Sequence, residues 1–362
     1  MLTNINFSTS QLLNPSIPMN IDKFEDAIMN CRFCFMCRHL STIGQVRCTE
    51  VDTPRIRAAM LYGIRTGTNS FDDADFVDAL YRQELSACCR RNCVNGYDEN
   101  GLALAARADV VEAGKAPEAV KTLAAKFVKS VGWKADGRGD VAWFLDETTA
   151  SDKAAVAAAK KLFAAARVAP MTITGGSIGK ALKVLGYLPE AKAAAEKFAA
   201  FLKAEGVKTL VVSNPAALNA LKQDYPEFGV RLPCEVKSVA CFVLDRKVKF
   251  AKAAGEVYPI ADDFIRNYQG CKCHERLLAS LKAVCRPFGT NDEESYNCGE
   301  GAIVLDRLHP ELVKALAEYV AARADNPKKD RIVVGSVYAK KALVKYGRLN
   351  VVTVEELAEA CL

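Results

Sequence analysis

Three thiols at C-x2-C-x2-C spacing, Cys31, Cys34 and Cys37, are the side chains in this sequence best suited to chemistry. Soft thiolates crowded on one tight loop select an iron-sulfur cluster over magnesium or calcium, and three of them need one distant partner to complete a set of four. Further along, Cys88, Cys89 and Cys93 form a second group. Arg32, Arg38, Arg90 and Arg91 flank both groups, where positive charge would offset a cluster's negative charge and raise its reduction potential, or dock an acidic partner. His39 lies close behind Cys37 and is placed either to hydrogen-bond cluster sulfur or simply to face water.

The bulk properties restrict where such chemistry would sit. The chain has 362 residues, 50% hydrophobic and 25% charged, ordinary values for a soluble protein of two or three domains. Its net charge of +6 is spread along the chain without a basic stripe interleaved with aromatics, so no nucleic-acid partner is expected. Met1 to Asn20 is polar and lacks the basic and apolar regions of a secretory signal. No segment approaches the ~18 uninterrupted apolar residues of a membrane span. Fourteen cysteines in such a chain read as metal ligation in a reducing compartment, hence a cytoplasmic protein suited to anaerobic life.

The elements that must position the thiols follow from periodicity and caps. Residues 21–30 have an amphipathic helical pattern feeding Cys31. Thr53 and Pro54 provide an N-cap and first position for a helix over 55–65 that Gly67 stops. A second helix, starting at Ser70 with Asp72 and Asp73 in its first turn, is expected to run through Leu85 into Cys88. Residues 102–131 are helical in pattern, with a break at 114–117. The glycine-rich, charged stretch 133–140 reads as a linker. Beyond it, short apolar strands (141–145, 170–174, 209–212) alternate with helices (151–166, 190–204), the signature of an α/β region. Residues 208–221 run parallel to 330–343, and Leu188-Pro189-Glu190 is echoed by His309-Pro310-Glu311, which points to two homologous halves.

Together these features resemble the iron-sulfur electron-transfer proteins of the cysteine-rich, Cys-Cys-Gly family: those related to heterodisulfide reductase, and the iron-sulfur subunits of anaerobic glycerol-3-phosphate dehydrogenase and of glycolate oxidase. The resemblance covers nearly the whole chain. It implies an α+β multidomain fold, with a helical ferredoxin-like domain over 1–132, a linker over 133–140, and two α/β halves over 141–250 and 251–362. It also implies two C-x2-C-x2-C-x3-C motifs, but here Ser41, Gln83 and Ser86 stand where the family has cysteines. Because the last cysteine of each motif ligates the other motif's cluster, one set survives intact: Cys31, Cys34, Cys37 and Cys93. One 4Fe-4S cluster is therefore expected, with Cys48, Cys88 and Cys89 as an alternative, unconventional second site. The Cys-Cys-Gly motifs of the halves are reduced to Thr174-Gly175-Gly176 and Asn297-Cys298-Gly299, and their C-x2-C motifs to Asn214-Pro215-Ala216-Ala217 and Ser336-Val337-Tyr338-Ala339.

The implied function is a non-catalytic electron-transfer subunit of an oxidoreductase complex, carrying single electrons for a flavoprotein dehydrogenase partner through which it could associate peripherally with a membrane. Two alternatives come from other classes: an assembly subunit with the cluster as a folding staple, and a thiol or disulfide reductase using Cys298 with Cys271 and Cys273. Cys234, Cys241, Cys271, Cys273, Cys285 and Cys298 form a late group of thiols, in which Cys271-Lys272-Cys273-His274 has the makings of a zinc or iron site. Gly175 to Gly179 offers backbone amides to a phosphate, or a tight turn inherited from lost ligands. Asp262-Asp263 reads as a helix cap rather than an acid-base pair.

Overall fold

The computed structural model describes residues 18–290 and 293–362. Most of the polar stretch Met1 to Asn20 therefore lies outside the described residues.

Residues 18–129 fold as helices without a strand. Local chemistry sets several of their ends. Thr53 caps the helix Pro54–Thr66 by accepting from the Ile56 amide, and Gly67, at φ 72°, closes it. Asp73 caps Ala74–Tyr81 through the amides of Asp75 and Phe76. That helix stops at Tyr81 instead of running on into the cysteines, and a new one begins at Cys88. Leu85 and Ala87, at φ 53° and 57°, break it. The carbonyls of Leu85 and Ser86 accept from the Tyr268 hydroxyl at 2.6 Å and the Asn267 amide at 2.8 Å, and that of Gln83 from Arg107 at 3.3 Å. Acceptors engaged this way are withdrawn from a helical ladder.

Two sheets follow. The first has the order β1-β3-β2-β4-β5, with β1 Trp133–Asp136, β2 Val141–Leu145, β3 Met171–Gly175, β4 Thr209–Val212 and β5 Glu235–Ser238. All its pairs are parallel except β1 with β3. The second has the order β7-β6-β8-β9, wholly parallel, with β6 Gly255–Pro259, β7 Ala283–Cys285, β8 Ile332–Val334 and β9 Val351–Thr353. Without β1, the two sheets share one strand order. The stretch 133–140, read as a linker, is corrected in its first half: Trp133 packs its ring on Phe198 at 4.8 Å, and this anchors residues 133–136 as the edge strand β1.

The cores cut across the segments read from sequence. One joins the N-terminal helices to residues 181–194 and to part of the second half, including Ile332 and Val334. The other joins the first sheet to Val257, Leu277, Val333 and Leu357. Neighbouring residues of β8 thus enter different cores, as alternation along a strand buried on both faces requires.

Candidate metal centre

Cys31 opens a 3-10 turn after the helix Glu25–Asn30, Cys34 and Cys37 lie on the loop beyond it, and Cys93 ends the helix Cys88–Asn92. All four line a single cavity, together with Cys89, Leu40, Pro54, Tyr97 and Glu99. The Cys31 thiol is pushed up to about 12 by burial and by the neighbouring Cys37, Cys93, Glu99 and Cys34. A thiol raised in this way becomes a thiolate more readily once a cation is bound beside it. Two of the four sulfurs already face amides. The backbone N–H of Arg55, one of the first-turn donors of the helix Pro54–Thr66, lies by the Cys37 sulfur and draws its thiol down against burial. Cys34 accepts from the Met36 amide at 3.5 Å.

Cys89 differs from the other four. Its thiol donates to the Cys37 carbonyl at 4.0 Å, and burial holds it far above the usual thiol range, with Glu99, Cys37, Cys88 and Glu84 around it. Beyond it lie the positions where cysteines were missing. The Ser41 hydroxyl and the buried Arg57 guanidinium both donate to the Asp52 carbonyl, at 3.0 and 2.6 Å. Arg57 has Asp52, Cys89, Glu84 and Cys37 as its electrostatic neighbours. Ser86 donates to Glu84, whose carboxyl burial pushes up to about 7, and Gln83 donates to Asn100. Buried polar side chains thus fill this region.

The structure does not bring Cys48 to Cys88 and Cys89. Cys48 is exposed, left-handed at φ 52°, and donates to the Gln45 carbonyl. Cys88 turns toward Asp263 at 3.9 Å and Asn267 at 3.3 Å. His39 is exposed and is not among the residues that line the cavity. Arg32 stacks on Tyr62 at 3.7 Å, Arg38 pairs with Glu50 at 3.3 Å, Arg90 pairs with Asp98 at 3.2 Å, and Arg91 is exposed.

Glu99 was not singled out from the sequence. Its carboxyl is pushed up to about 7 by burial, one oxygen accepts from the Arg90 amide at 2.7 Å, and the other has no hydrogen-bond partner. An acidic residue in a helix's first turn is too common to mark a site without its tertiary surroundings.

A second group of thiols also forms. Cys241, Cys271 and Cys273 lie within 4.8 Å of one another, the one such set of potential ligands found among the described residues, and could hold a metal. The Cys241 thiol is drawn down to about 6, chiefly by its hydrogen bond with Cys273, whose own thiol is driven up by the same bond. Cys298 belongs to the other core, so the structure does not bring it to Cys271 and Cys273. Cys234 and Cys285 stay outside the trio.

The remaining candidates have structural explanations. A Cβ on Gly176 would lie 1.9 Å from the Ser130 carbonyl, so close chain packing demands glycine there. Asp262 caps the turn after it through the Ile265 amide at 2.9 Å, and Asp263 accepts from Ser295 at 2.6 Å. No helix among the described residues is long and apolar enough to cross a membrane.

No family model, curated protein or solved structure matches this chain.

The first cavity offers five thiols from two segments distant in sequence, amides at two of the sulfurs, and a mostly apolar lining. That donor set fits a soft, multi-metal centre.

Proposed function

We propose that this chain is an iron-sulfur electron-transfer subunit whose single 4Fe-4S cluster is held by Cys31, Cys34, Cys37 and Cys93. The observation that carries the reading is the convergence of these four side chains on one cavity. Such a cluster supplies one-electron chemistry, and with a thiolate on every iron it has no coordination site left for substrate. Substrate chemistry then belongs to a partner, for which a flavoprotein dehydrogenase is the reading the resemblance favours. The helical segment acts as the ferredoxin-like part and the two sheets of like strand order as degenerate homologous halves. A cytoplasmic setting with little oxygen suits the cluster.

The surface around the thiols supports a docking role. Met29, Phe33, Phe35, Met36, Val51 and Val94 are all exposed, Phe33 by 73% and Val94 by 78%. All but Val51 sit on or next to the segments that carry the proposed ligands, and Arg38, Arg90 and Arg91 are exposed on those same segments. Apolar patches rimmed by charge mark protein interfaces. Anaerobic iron and sulfide analysis with electron paramagnetic resonance tests the proposal: four irons per chain are expected, lost in Cys37→Ser. Iron-free protein from anaerobic cells, or electron transfer that survives Cys37→Ser, would refute it.

A further inference from the structure

We infer that Cys241, Cys271 and Cys273 form a mononuclear zinc site, separate from the iron-sulfur cavity, that ties the two sheets of the molecule together. The sulfurs come from two separate structural units. Cys241 sits in the first turn of the helix Val239–Asp245, which directly follows β5 of the first sheet. Cys271 and Cys273 lead into the helix Cys273–Ser280, between β6 and β7 of the second.

Spacing distinguishes this site from the other. Thiolates at about 2.3 Å from a tetrahedral zinc lie about 3.8 Å apart, so a trio gathered within 4.8 Å needs only small side-chain rotations to take one ion. The thiols of the iron-sulfur cavity form no set so compact, in keeping with a larger multi-iron centre. Nor does the trio serve as apolar filler or as a disulfide. All three are free thiols, an odd number, and the Ser238 hydroxyl points its proton at the Cys273 sulfur at 3.6 Å while accepting from the Cys241 amide at 3.1 Å. A hydroxyl that orients a ligating sulfur is the kind of support that metal sites use. Cys271 borders the large cavity at the C-terminal ends of the second sheet's strands, which leaves room for water as the fourth ligand.

The test uses the full-length chain purified anaerobically. Metal analysis is expected to find one zinc beside the iron. Cobalt(II) exchanged into the site should show the thiolate charge-transfer and strong ligand-field bands of a tetrahedral site. Cys271→Ser should weaken zinc affinity at least about tenfold, whereas Cys285→Ser, at an exposed thiol outside the trio, should not change it. In the unmutated chain, alkylation followed by mass spectrometry should find Cys241, Cys271 and Cys273 protected until a zinc chelator is added. Zinc should also remain in Cys37→Ser, so that failure of the iron-sulfur reading and failure of this one give different results. Absence of zinc, zinc bound equally well by Cys271→Ser, or alkylation of the trio at one rate with and without chelator would each overturn the assignment.

Discussion

Five thiols border the principal cavity, and the proposed ligand set depends on separating Cys93 from Cys89. Cys31 feels Cys37, Cys93 and Cys34, whereas Cys89 feels Cys37, Cys88 and Glu84 and lies beside the buried Arg57. Cys93→Ser is therefore expected to strip the iron, and Cys89→Ser to leave close to the full complement; iron and sulfide assays on both variants check this, and equal losses would contradict it. Arg57→Met should destabilise the chain, since it removes the buried guanidinium that donates to the Asp52 carbonyl and places positive charge beside Asp52 and Glu84. Losing a hydrogen bond from a charged donor costs on the order of 1.5–3 kcal/mol, measurable as a lower denaturation midpoint. The thiol grouping was legible in the sequence because its spacing is local. Glu99 was not, because what sets it apart is burial beside sulfurs that only the fold supplies.

At the scale of elements, caps were legible and interruptions were not. Thr53, Pro54 and Gly67 act within one turn of their own positions, so the ends they set follow from sequence, whereas Asp73, expected inside the first turn of a helix from Ser70, instead caps one that begins at Ala74. The break over 82–87 is imposed by side chains remote in sequence: Tyr268 on the Leu85 carbonyl and Asn267 on the Ser86 carbonyl. Edge strand β1 escaped for a similar reason, since Trp133 packs on a helix more than sixty residues away. Tyr268 also accepts from the Asn100 amide at 2.6 Å, so Tyr268→Phe leaves a buried carbonyl and a buried amide without their partner. We expect a loss of about 1–3 kcal/mol in chemical denaturation, with the secondary structure preserved. If the break were set locally, the substitution would be nearly silent.

At the scale of the whole molecule, the order β3-β2-β4-β5 recurs as β7-β6-β8-β9, and the paired stretches 208–221 and 330–343 fall on β4 and β8 with the helices after them. The repeat was legible because both copies keep their apolar runs. The way the halves share cores was not, since it depends on which face of each strand meets which neighbour. Glu355, in the first turn of the last helix, makes that joining sensitive to pH. It hydrogen-bonds Ser213 from the first sheet region, has Glu356 and Asp146 as negative neighbours, and is pushed up to about 8 by burial. The folded chain therefore keeps a proton that the unfolded chain releases near the ordinary carboxylate pKa. Stability from this group is complete below that value and is lost as pH rises toward 8. Glu84 and Asp262, both raised to about 7, act in the same direction, while His274, lowered to about 4 by burial, opposes them at acid pH because the unfolded chain binds its proton first. The difference between the parent chain and Glu355→Gln isolates the one residue. Going from about pH 5 to about pH 8, the parent should lose on the order of 1–3 kcal/mol relative to the variant in denaturation experiments. A gap that does not change with pH would mean that Glu355 is not held protonated between the halves.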